Sequence, residues 1–158
     1  MANDIGAVLQ AKGSAVRTVA PDDTVLDAVR QMNAASVGSL VVMDADELVG
    51  IFTERDVLVR LVEQRRDPAD TRVREVMTDD PLCVGPDTSV EDTMILMTEN
   101  HCRHVPVLEG AELRGVVSVG DLIRWTVRDR DVRLDRLLRA MRLPVRRDSG
   151  SATESSES

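Results

Sequence analysis

The chain has 158 residues, 42% of them hydrophobic and 30% charged, and a net charge of −8. That length allows one ordinary domain or two very small ones sharing a core, and the balance is globular rather than disordered. The negative charge argues against nucleic-acid binding through phosphates, and one Phe, one Trp and no Tyr leave no aromatic platform for stacking bases.

A core here must be built from Val, Leu, Ile, Met and Ala. The two cysteines, Cys83 and Cys102, form no CxxC pattern and are too few for a disulfide framework. Met1 to Gln10 lacks the basic start and long apolar run of a secretory signal. No apolar stretch approaches the ~20 residues of a membrane span. The expectation is a soluble, cytoplasmic protein that binds neither nucleic acid nor membrane.

In chain order, Asp4 is a fitting cap for a short helix over residues 4–10, with Ile5, Val8 and Leu9 on one face, and Lys12-Gly13-Ser14 ends it. Lys12 is the only lysine among 20 basic residues, a bias to which the sequence attaches no chemistry. Val16 to Val19 reads as a strand stopped by Pro21. Thr24 caps a second helix, in which Val25, Ala28, Val29 and Met32 recur at the spacing of a buried face. Leu40-Val41-Val42-Met43 is short and continuously apolar, the signature of a strand covered on both sides. Asp44 to Glu47 makes a turn, Leu48 to Phe52 returns, and Thr53 opens a helix carrying Val57, Leu58, Leu61 and Val62.

After the polar connector Arg65 to Asp70, the pattern recurs with a shift of 65. Val19 meets Val84, Pro21 meets Pro86, Val25 meets Val90, Met32 meets Met97, Gly50 meets Gly115 and Asp56 meets Asp121, with no gap. This is a tandem duplication of a strand–helix–strand–strand–helix unit. It predicts an α+β fold of two pseudo-twofold-related β-α-β-β-α units packed sheet to sheet, because a unit of ~60 residues buries too little surface alone. The first unit spans 1–66, with the N-terminal helix, and the second 71–130. Residues 131–144 read as an amphipathic C-terminal helix with a stripe of Leu134, Leu137, Leu138 and Met141, ended by Pro144. Residues 145–158 are Ser- and Glu-rich and are expected to be disordered.

Each unit places the same short motif after a glycine-containing apolar run and before a helix: Thr53-Glu54-Arg55-Asp56 and Ser118-Val119-Gly120-Asp121. With Arg103-His104-Val105-Pro106-Val107 in the second copy, these motifs in register resemble a tandem pair of CBS domains, a Bateman module. The resemblance covers roughly residues 1–130. It implies a regulatory module, not an enzyme, that binds adenosine-containing ligands (AMP, ADP or ATP) between its units and needs no other cofactor. It implies that Asp56 and Asp121 accept the ribose diol and that Thr53 and Ser118 bond ribose or phosphate. Chain around Val19, Ala20, Gly38, Ser39 and Leu40, with Val84, Gly85, His104, Val105 and Pro106, would line the adenine pocket. The expected partners are a second copy and an effector protein, signalled to by a population shift.

The chemistry of those residue types suits these roles. A carboxylate only accepts hydrogen bonds and so matches two hydroxyls. Arg55 in a first helical turn offers a phosphate contact, which Gly120 cannot; in the second copy Arg103 or His104 would have to supply it. The pocket built on Asp56 is therefore expected to hold a charged nucleotide more strongly. Thr-x-x-Asp and Ser-x-x-Asp are equally helix-capping patterns, and duplication copies a cap as faithfully as a site. His101, Cys102 and His104, with Cys83, invite a metal reading, but the spacing is looser than zinc sites use, and no metal is expected. No nucleophile–base set or P-loop is present. The alternatives are a structural protein with vestigial pockets, or a regulator responding to S-adenosylmethionine, a dinucleotide or a metal.

Overall fold

Side-chain caps start the helices where the sequence places them. In this computed structural model, which describes residues 2–140, Asp4 Oδ1 accepts from Ala7 N at 2.8 Å and starts α1 (Ile5–Lys12). Thr24 Oγ1 accepts from Asp27 N at 3.2 Å to start α2 (Val25–Ala35). Ser89 Oγ accepts from Asp92 N at 3.0 Å to start α5 (Val90–Glu99). Each cap satisfies a donor that the first helical turn leaves without an intrahelical partner.

The strands form two sheets. β1 (Thr18–Val19), shorter than the stretch from Val16, pairs parallel with β2 (Ser39–Asp44). β2 pairs antiparallel with β3 (Glu47–Thr53), and β3 with β4 (Thr78–Asp79), giving the order β1-β2-β3-β4. In the second repeat β5 (His104–Glu109) and β6 (Glu112–Ser118) form the equivalent hairpin. The strand expected at Val84 is a single parallel bridge to Val107. Irregularities recur 65 residues apart: a register shift at Val42/Met43 and at Val107/Leu108, and positive φ at Ser36 and His101 and at Ala45 and Gly110.

The helices after β3 and β6 diverge. α3 (Glu54–Asp56) passes at once into a π-helical segment, Val57–Val62. α6 (Val119–Ala140) is a regular α-helix of 22 residues. It crosses 130 and 131 without a break, so residues 131–140 continue the second repeat's helix rather than forming an element of their own. The chain has no Gly or Pro between Asp121 and Leu143 to stop it. Along it Arg133 pairs with Asp129 at 3.0 Å and Arg139 with Asp135 at 2.9 Å, while Leu134 and Leu137 are exposed. Met141, Pro144 and the tail expected over 145–158 lie outside the described residues.

A short helix precedes each repeat, and each docks on the other repeat. α4 (Val73–Val76) buries Val73 and Val76 completely in the core of the first repeat, with Val25, Ala28, Met32, Leu40 and Phe52. Val73 N and Arg74 N donate to the carbonyls of Asp23 and Pro21, each at 2.9 Å. Reciprocally, Ile5 N and Gly6 N at the start of α1 donate to Thr88 O and Pro86 O in the second repeat, at 2.9 and 2.8 Å. The motif glycines make room for this exchange. A Cβ on Gly50 would meet Met77 Sδ at 2.7 Å and Thr78 O at 2.8 Å, and one on Gly115 would meet Leu9 Cδ2 at 2.7 Å. The matching donors, Ile5 with Val73 and Gly6 with Arg74, stand 68 positions apart rather than 65. That three-residue offset removes the leader helices from the ungapped sequence repeat.

Candidate functional site

Both motif turns are capping boxes. Thr53 N donates to Asp56 Oδ2 at 2.9 Å, and Asp56 N donates to Thr53 Oγ1 at 3.4 Å. Ser118 N donates to Asp121 Oδ2 at 2.9 Å, and Asp121 N donates to Ser118 Oγ at 3.1 Å. The structural role of these four residues is thus real in both copies.

Their surroundings differ. Asp56 is 5% exposed; Thr78 Oγ1, from β4, donates to its Oδ1 at 3.3 Å, and Arg60 Nε stands 3.9 Å away. Burial pushes its carboxyl up, against the lowering by the Thr53 N–H and the Arg60 charge. Asp121 instead receives Lys12 Nζ at 2.6 Å on Oδ2, and the same ammonium donates to Val116 O at 2.8 Å. Burial again raises the carboxyl, but the Lys12 and Ser118 hydrogen bonds together hold it below the usual carboxylate range.

Asp121 lines a cleft of about 280 Å³. One wall is Ser118, Asp121, His104 and Val116 of the second repeat. The other is Ser36, Val37, Gly38, Ser39 and Val41 of the first, and Lys12, Ala15, Val16 and Arg17 close the approach. Strand alternation decides who faces it. Ser39 and Val41 line the cleft, while Leu40 and Val42 belong to the core on the other face of β2. His104 sits close to Gly38: a Cβ there would lie 3.3 Å from His104 Cε1. Burial lowers the pKa of this imidazole, opposed by Glu54 and Asp121, and so favours its neutral form.

The cleft thus brings together Gly38, Ser39, His104, Ser118 and Asp121 of the sequence-derived candidates. The side chains of Val19 and Leu40 are in the hydrophobic core, and Val84, Val105 and Pro106 are buried. Ala20 is exposed, and Gly85 is half-buried, its N–H donating to Thr88 Oγ1 at 3.2 Å. Arg103 is exposed, and its carbonyl accepts from Val119 N at 3.0 Å. Thr53 and Asp56 sit at the other turn with Arg55, whose guanidinium donates to the His101 carbonyl at 2.8 Å and so ties the two repeats together. Cys83 and Cys102 are half-buried thiols whose pKa values burial pushes up. Among the described residues, no group of three His, Cys, Asp or Glu is placed to hold a metal.

Sequence reasoning missed Lys12, Ala15, Val16, Arg17, Ser36, Val37, Val41 and Val116. Alternation along β2 was enough to find Val41 from Ser39. Nothing in the sequence pointed to Lys12, whose carboxylate partner is 109 positions away.

The family model for the CBS domain matches residues 13–63 and 73–128, once over each repeat. The chain belongs to the CBS-domain family. This CBS pair is 42% identical over 121 residues to the mitochondrial CBS domain-containing protein CBSX3 of Arabidopsis thaliana, covering 73% of this chain and 59% of that protein. It is 36% identical over 107 residues to the CBS domain-containing protein YhcV of Bacillus subtilis, covering 68% of this chain and 76% of that one. A solved CBS-domain protein from Burkholderia ambifaria superposes with a TM-score of 0.78 at 40% identity, over 80% of this chain and 95% of its own. The CBS pair thus falls among ligand-binding regulatory modules. Among the described residues no helix is long and apolar enough to cross a membrane.

Proposed function

We propose that this CBS pair binds an adenosine-containing ligand of the AMP, ADP or ATP class in the cleft at Asp121 and signals its occupancy through the relative placement of the repeats. One observation carries the reading: the cleft is walled by both repeats and presents a nearly buried carboxylate, a hydroxyl and a half-buried imidazole together. A carboxylate matches a ribose diol, and a neutral imidazole can donate to or accept from a base edge. The volume is near the low end of the ~300–1,000 Å³ typical of ligand pockets, so a base and ribose fill it and phosphates emerge at its mouth. A ligand touching both walls favours one arrangement of them, which is the differential affinity that signalling requires. Calorimetry with adenosine, AMP and ATP tests this. Saturable binding that Asp121→Ala removes supports it; no heat with any of the three, and none with Asp121→Ala, ends it.

A second copy is the proposed neighbour. Leu58, Val59 and Val62 on the π-helical segment and Ile95 on α5 are between 47% and 64% exposed, more apolar surface on short helices than a lone module gains by leaving in water. The output then passes to an effector protein. Light scattering of wild type and of Leu58→Glu/Val62→Glu tests the pairing; a monomeric wild type removes it.

A further inference from the structure

We infer that Lys12 competes with a ligand for Oδ2 of Asp121 and selects phosphorylated ligands in this cleft. The inference rests on the adenosine reading above and assigns a specificity-determining residue within it.

Position comes first. Lys12 is the last residue of α1, which cannot drift from the second repeat. Ile5 and Gly6 bond the carbonyls of Thr88 and Pro86, Val90 N donates to Asn3 O at 3.1 Å, and Leu9 fills the space beside Gly115. The backbone of Lys12 is therefore fixed beside the cleft. Its side chain is a flexible four-carbon stem carrying a compact ammonium with three donors. The Lys12 side chain is 36% exposed against 11% for Asp121, so it is the partner that solvent reaches more readily.

Competition follows. Asp121 Oδ2 already accepts from Lys12 Nζ at 2.6 Å and Ser118 N at 2.9 Å. The Ser118 bond belongs to the helix cap and stays. A ribose hydroxyl that seeks this oxygen must therefore take the place of Lys12. A neutral nucleoside then leaves an ammonium without its carboxylate. A nucleotide brings a replacement anion into the same cleft, which Arg17 also lines. The phosphate thus offsets the cost of opening the pair, and the nucleoside does not. At Asp56 the cation is Arg60 of the following helical segment, 3.9 Å away, and the group reaching that carboxylate from the exchanged segment is the neutral hydroxyl of Thr78.

The test is the ratio of adenosine to AMP dissociation constants, in which the cost of freeing Asp121 cancels. Lys12→Met should tighten adenosine binding and lower that ratio by about tenfold or more, the usual weight of one charge-assisted hydrogen bond. Lys12→Arg, which keeps the charge, should hold the ratio within about threefold of wild type. Because Lys12 is the single lysine, its acetylation by an amine-reactive reagent is read from one peptide. Adenosine should speed this acetylation and AMP should slow it. Binding of adenosine by Lys12→Met but not by wild type also supports the competition. If both ligands bind wild type and the ratio does not move in a folded Lys12→Met, the inference fails and the adenosine reading stands. If neither ligand binds wild type, Lys12→Met or Lys12→Arg, the adenosine reading fails and this inference with it.

Discussion

The two motif turns share a cap and differ in what faces it. At Thr53–Asp56 the carboxylate side chain is 6% exposed and bonded by Thr78, with Arg60 of the following helical segment 3.9 Å away. At Ser118–Asp121 the carboxylate is 11% exposed, lines a cleft and is closed by a cation from a distant helix. The same four-residue device thus starts a helix in both repeats, and in the second its carboxylate also lines a cleft. What separates them is the exchanged segment laid over each, β4 on one and the end of α1 on the other. A motif's spacing fixes its cap; its neighbours fix whether a lone pair remains for a ligand.

The comparison can be broken most sharply by binding. Asp121→Ala should weaken adenine-ligand affinity by about tenfold or more, since it removes a charged acceptor that lines the cleft, whereas Asp56→Ala should change affinity in this cleft by less than about threefold. Equal losses in calorimetry would show that the turns are equivalent after all. The glycines come next. In Gly50→Ala the new methyl meets the Thr78 carbonyl oxygen, which belongs to a paired strand, and should cost about 2–3 kcal/mol. In Gly115→Ala it meets the end of the Leu9 side chain, which can turn aside, and should cost about 1 kcal/mol or less in urea denaturation.

Stability should then reverse the order of the carboxylates. Asp56→Ala loses a capping box and leaves Thr78 without its acceptor, which should cost about 1–2 kcal/mol and lower the Tm by several degrees.

Titration separates the carboxylates further. Asp56 is raised, so its contribution to stability is full below 3.8 and is lost as pH rises through its folded value. Asp121 is lowered, so its contribution is present above 3.8 and is lost as pH falls through its folded value. Carboxyl carbon shifts in NMR should show Asp56 titrating above 3.8 and Asp121 below it; the reverse order would refute the assigned environments. His104 is lowered, so stability should fall as pH drops from 6.5 through its folded value, and His104→Gln should flatten that slope. The smallest effect is expected at Arg55, whose exposed bond to the His101 carbonyl should be worth under about 1 kcal/mol, read as a shift in the urea midpoint of Arg55→Ala.

Much of this architecture was legible beforehand because it is local. Asp4 and Thr24 cap the helices they precede, since a cap needs only a side chain three residues from an N–H. The hairpins β2–β3 and β5–β6 follow from apolar runs around short polar turns, and the shift of 65 carried one reading onto the other. The sequence reading counted Arg55 as the feature favouring the Asp56 pocket. In the fold that guanidinium donates to a backbone carbonyl of the other repeat, and the cation beside a motif carboxylate in the cleft is Lys12.

The sequence by itself therefore determined the duplicated unit, its strand and helix order and the paired capping turns, all of which rest on contacts within a few residues. The tertiary structure decided that each leader helix crosses to the opposite repeat, three residues out of step with the duplication. It also decided that Lys12 meets a carboxylate 109 positions away. Such a contact has no local signature: it exists only because buried Ile5, Val8 and Leu9 hold α1 in place while the end of a flexible side chain settles on the nearest opposite charge.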